Sequence, residues 1–104
     1  MDEELQGWLR QRLPADWFVA VPELAAVGES AVVRGRLQDV AGAADPEAAA
    51  AGRIARFREE SRAERQAIAR EAETRHERLL TWEVSCGPVV EAFSDAWEGD
   101  PVYV

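Results

Sequence analysis

The chain has 104 residues, 47% of them hydrophobic and 31% charged, with 4 Trp, which suits one small domain spanning 1–104 and excludes disorder throughout. Its formal net charge of −8 works against undirected attraction to nucleic acid or to anionic lipid. The single cysteine, Cys86, excludes an internal disulfide and fits a reducing compartment.

The N-terminus is acidic where a secretory leader would be basic, and no apolar run approaches the ~20 residues of a membrane span. The cytoplasm is therefore the expected location. Residues 2–13 suit a short amphipathic helix, with Leu5, Trp8, Leu9 and Leu13 on one face and acidic residues at its positive end. Pro14 ends it. Residues 17–21 are aromatic and β-branched and read as extended, Pro22 marks an edge or a bend, and 23–27 continues weakly. A turn at 27–30 leads into a better strand over 31–37, with Val33, Gly35 and Leu37 on one face and Val32, Arg34 and Arg36 on the other.

The dominant element is a helix over 45–80. Asp45, Pro46 and Glu47 supply an N-cap, a first-turn proline and a carboxylate at the positive helix end. Ile54, Phe57, Ser61, Arg65, Ile68, Ala72, Arg75 and Leu79 then form a stripe at helical spacing. Such a helix is ~50 Å long against ~23 Å for a seven-residue strand, so it should overhang any sheet this chain builds unless it breaks near Gly52. After it, 80–86 alternates as a third strand, with Leu80, Trp82, Val84 and Cys86 on one side. Gly87-Pro88 turns the chain, and 88–98 reads as a last helix through Val89, Val90, Phe93 and Trp97. The order is α-β-β-α-β-α. The expected fold is α+β: a three-stranded, all-antiparallel sheet with the third strand beside the first, packed by one long and two short helices. The sheet face away from the helices should be partly exposed or set against a second copy.

Basic charge is concentrated in the long helix, where 53–78 holds 8 Arg against 6 Glu while the remainder carries 4 Arg against 14 acids. Arg58, Arg62 and Arg65 fall on a flank beside the apolar stripe, with His76 further along, and Glu60, Glu64 and Glu71 take the opposite flank. The functional reading is contact with an anion or a partner through Arg58, Arg62, Arg65 and His76. The plainer one pairs these arginines with the acidic remainder or leaves them solvated. The apolar stripe, through Ile54, Phe57, Ile68 and Leu79, is the candidate interface of a homodimer, and a parallel helix pair would set basic against acidic flanks.

Catalytic and metal readings are weak. Glu73 and His76 form half of a di-iron motif without a second inward carboxylate, and Cys86 with His76 makes a poor nucleophile and base because Cys86 continues an apolar strand face. No catalytic residue, metal site or cofactor is therefore expected. The tail at 101–104 could add to a sheet edge.

The runs Ile54-Ala55-Arg56-Phe57-Arg58-Glu59-Glu60-Ser61-Arg62 and Ala69-Arg70-Glu71-Ala72-Glu73, followed by Trp82 and Cys86-Gly87, resemble a set of small uncharacterised actinobacterial proteins. Its members join an Arg/Glu-rich helix to a strand with a Trp-x3-Cys-Gly ending and carry a longer C-terminal helical segment. The resemblance implies a bacterial, cytoplasmic protein and no assigned activity. What the residues themselves support is a small interaction or regulatory module, homodimeric and organised by the long helix, with nucleic-acid or anion binding by the Arg58, Arg62 and Arg65 flank as the alternative.

Overall fold

Asp45 starts the long helix as its sequence suggests: extended at φ −124°, it accepts the Ala48 N–H on its carboxylate at 3.1 Å, and Pro46 follows. The computed structural model describes residues 3–94. Its elements are α1 (Glu3–Arg12), β1 (Glu23–Val27), β2 (Ser30–Arg36), α2 (Pro46–His76), β3 (Leu79–Cys86) and β4 (Val89–Ser94). Helix α2 runs without a break through Gly52. It stops because Glu77 adopts the left-handed conformation at φ 56° and returns its N–H to the Glu73 carbonyl.

The sheet has four strands in the order β1-β2-β3-β4. Strand β3 pairs with β2 in parallel, while β1 with β2 and β3 with β4 are antiparallel. Two expectations are thereby corrected. The third strand lies beside the second, not the first, because α2 is a long crossover of the kind that joins parallel neighbours. The five-residue β1, preceded by Pro22 and poor in large apolar residues, takes the edge.

The helix expected over 88–98 is instead β4 as far as Ser94, and its remaining positions, like the tail at 101–104, lie outside the described residues. Gly87, at φ 52°, and Pro88 form a two-residue hairpin turn between Cys86 and Val89, with glycine first as a II′ turn requires. The β1–β2 hairpin repeats the device at Gly28, φ 61°. Among the described residues the order is α-β-β-α-β-β and the sheet is mixed, not all-antiparallel.

The core lies on one face of this sheet. Val33 and Leu37 from β2 and its exit meet Leu80, Trp82, Val84 and Cys86 from β3, and α2 covers them with Ala50, Ile54, Phe57, Ile68 and Ala72. The buried positions of α2 run from Ala50 to Ala72, a span of ~33 Å that exceeds the ~27 Å of the longest strand. Helix α1 takes up the excess length. Its Leu5 and Leu9 are fully buried, its Trp8 ring lies 5.4 Å from that of His76, and Arg12 grips Glu71.

Residues 17–22 form no strand, although Val19 donates its N–H to the Arg36 carbonyl. Freed from strand alternation, Trp17 and Phe18 both pack inward. Trp17 meets Phe57 and Trp82 edge-on at 5.4 and 5.9 Å, and Phe18 lies over Gly35.

Candidate functional site

Helix α2 buries an arginine in its stripe, and the surrounding geometry shows how. Ser61 donates its hydroxyl to the Phe57 carbonyl one turn back at 2.6 Å, and its oxygen then accepts Nε of Arg65 at 2.8 Å. Nη2 of Arg65 reaches the Arg58 carbonyl at 2.7 Å. The guanidinium, with the whole residue 0% exposed, lies 4.8 Å from the Phe93 ring centroid, and that of Arg58 lies 4.2 Å from the same centroid. Arg58 also pairs with Glu91 at 3.5 Å. Two arginines of α2 thus hold Phe93 and Glu91, alternate residues on the helix-facing side of β4.

Arg62 is exposed on the same helix, so the three arginines occupy distinct environments. His76 is not part of their group. It lies three turns beyond Arg65, ~16 Å along the axis, half-buried against Trp8. On the acidic flank Glu71 accepts Nε and Nη2 of Arg12 at 2.8 and 3.1 Å, a bidentate contact. This hydrogen-bonded pairing, against a smaller opposing effect of burial, lowers the Glu71 carboxyl below its ordinary range, with Arg75 and Arg70 adding to the effect; the same bond to Glu71 raises Arg12.

Of the stripe residues offered for a dimer, Ile54, Phe57 and Ile68 are buried in the core of this chain, whereas Leu79 is 47% exposed. Leu79 borders a cleft of about 360 Å³ that Gln66, Arg70 and Glu73 line from the helix side. Strand β3 separates Cys86 from His76: Cys86 is fully buried at its far end and donates its Sγ–H to the Gln38 carbonyl at 3.5 Å. Among the described residues no three His, Cys, Asp or Glu side chains gather as metal ligands would, and no helix is long and apolar enough to cross a membrane.

The sequence reading does not reach Phe93 and Glu91 as partners of the arginines, because a helix over 88–98 gives them no common face toward α2. Gly35 carried the more legible signal. A glycine inside an otherwise regular strand marks a close approach, which here is Phe18.

Residues 3–92, from the start of α1 into β4, match the profile of the Rv1265-like protein, N-terminal domain family. The chain belongs to that family. Uncharacterised proteins from Mycobacterium tuberculosis H37Rv and from Mycobacterium bovis are each 41% identical to it over 81 residues, 77% of this chain and 36% of theirs. The chain therefore spans about a third of the length of these curated relatives. No solved structure matches. The Rv1265-like family is the uncharacterised actinobacterial set that the Trp-x3-Cys-Gly strand and the Arg/Glu-rich helix suggested, and its relatives carry no assigned activity. In this Rv1265-like chain Trp82 and Cys86 of that ending are both buried on the helix-facing side of β3.

Proposed function

We propose that this chain is a non-catalytic interaction module of the bacterial cytoplasm that works as a homodimer, with α2 as the beam of each protomer. The observation that carries the reading is the use made of the polar side chains of α2. Arg65 and Arg58 hold β4 through Phe93, Glu71 holds α1 through Arg12, and His76 lies against Trp8. Groups that a catalytic site would draw on are engaged in fixing α2 to β4 and to α1, while among the described residues the opposite sheet face carries no helix. The lone cysteine, buried and reduced, suits the proposed compartment.

Size-exclusion chromatography with light scattering tests the assembly: the expected mass is twice the 11.5 kDa of one chain, and a strict monomer at hundreds of micromolar overturns it. Anion binding on the arginine flank is the second reading, supported by the exposure of Arg62 beside Arg58. Arg62→Glu tests it without touching the two arginines that hold Phe93. Salt-sensitive binding of the wild type to a labelled duplex, lost in the variant, favours this reading, and no binding by the wild type in low salt removes it.

A further inference from the structure

The strands present one side to α1 and α2, and their other side displays a pattern that the core does not explain. Glu23, Arg34 and Glu83 lie side by side in register across β1, β2 and β3, a row of negative, positive and negative charge, with Arg34 Nε 3.0 Å from Glu83. Two residues nearer the Gly87 turn, Arg36, Ser85 and Val90 form the next row. Val21 borders the same shallow hollow as Arg34, Glu83 and Val90. Val21 and Val90 are the two most exposed large apolar residues among those described, at 73% and 61%, and they stand on opposite edges of one sheet face. Isolated exposed valines need no explanation, but two on one face, flanking a central ion pair, form a pattern.

That pattern is self-complementary under one operation. A two-fold axis parallel to the strands, above the line between β2 and β3, sets β2 of one copy over β3 of the other without shifting the rows. Arg34 then faces Glu83 of the second copy and Glu83 faces its Arg34, closing a ring of four alternating charges. Because β1 falls over β4 in the same operation, each Val21 meets a Val90 at the two margins. An axis along the rows instead stacks Arg34 on Arg34. Twisted sheets pack face to face with their strands nearly aligned, as the first arrangement requires, and an interface of this kind uses the same patch on both copies.

We infer that the sheet face turned away from α1 and α2 is the surface on which a second copy docks, through reciprocal Arg34–Glu83 pairs and Val21–Val90 contacts. This rests on the homodimer reading and assigns its surface. The complex is a four-layer stack, helices outside and two sheets within.

The test uses the full chain and two reversals. Arg34→Glu and Glu83→Arg alone each place like charges across the axis and weaken the dimer ~10-fold or more, and Val90→Asp does the same at the margin. Each variant is checked for an unchanged far-ultraviolet circular dichroism spectrum. The double variant Arg34→Glu/Glu83→Arg restores an alternating ring and dimerises again. It does not mix with the wild type, since wild-type Arg34 would then face an arginine. Native mass spectrometry of the mixture should show the two homodimers and little of the mixed species. Mixed dimers at the statistical ratio, or a wild-type dimer unaffected by all three single variants, overturn the assigned surface and leave the homodimer standing. A monomeric wild type overturns both.

Discussion

The guanidinium of Arg65 and the ring of Phe93, 28 positions apart in sequence, meet at 4.8 Å and join α2 to the outermost strand beside the core. Among the described residues strand β4 pairs with β3 alone, and α2 supplies a further attachment through Arg58 and Arg65. Removing Arg65 takes away its hydrogen bonds to Ser61 and to the Arg58 carbonyl, a cation–π contact and a buried volume together.

Arg65→Ala should lower stability by about 3 kcal/mol, and Arg65→Lys by about 2 kcal/mol because an ammonium cannot span Ser61, the Arg58 carbonyl and the ring in one plane. Phe93→Leu, which keeps an apolar side chain and loses only the ring face, should cost about 1 kcal/mol. Denaturant unfolding gives the magnitudes. Amide hydrogen exchange should show the Arg65→Ala effect concentrated in β4, and equal loss of protection in β1 would count against the coupling.

How far this was legible in the sequence depends on the period of each segment. Helices α1 and α2 and strands β2 and β3 have apolar residues that satisfy one period and violate the other. Val89 and Phe93 are four apart, a spacing that fits a helical turn and also the same face of a strand, so β4 could not be separated from a helix by periodicity. Arg65 looks like an interruption of an apolar stripe. Its partner on β4 comes from a distant segment whose spacing fits a helix as well as a strand, and local sequence offers no way to find it. The order of the sheet was hidden for a different reason: a strand parallel to β2 satisfies the same hydrophobic pattern on either side of it, and only the edge character of β1 decides.

Gly35 and Phe18 make a second coupled pair. A Cβ on Gly35 would overlap the Phe18 ring, which is itself packed against Phe57 at 5.7 Å. Gly35→Ala should therefore cost about 2 kcal/mol, as overpacking of a close-packed core does. In a Phe18→Ala background the same change should cost under about 0.5 kcal/mol, so a double-mutant cycle reports the contact directly. Equal cost in both backgrounds would show that the glycine is needed for another reason.

Glu77 ends α2 in a conformation that favours glycine, with φ 56° and its N–H on the Glu73 carbonyl. A side chain there carries a steric cost that glycine does not. Glu77→Gly should raise stability by about 0.5–1 kcal/mol, and thermal and denaturant unfolding should agree in sign. A loss of stability would mean that the Glu77 side chain contributes more than the left-handed backbone costs.

The Arg12–Glu71 contact makes the docking of α1 dependent on acid. Hydrogen bonding to Arg12 lowers the folded carboxyl of Glu71 below its ordinary value, ~4.3 in an unfolded chain. Between those two values the unfolded chain binds the proton more readily than the folded one, so stability rises with pH there. The contribution is complete above the ordinary value and is lost as pH falls through the depressed folded one. Glu71→Gln, which keeps the shape and removes the charge, should be less stable than the wild type by a constant amount from pH 6 to 8. The difference should shrink steadily below about pH 4.5, where the Glu71 carboxyl of the unfolded chain takes up its proton first and that of the folded chain only at lower pH. Denaturation curves of both proteins across the acid range would converge if Glu71 acts through its charge, and a gap independent of pH would assign the contact to shape alone.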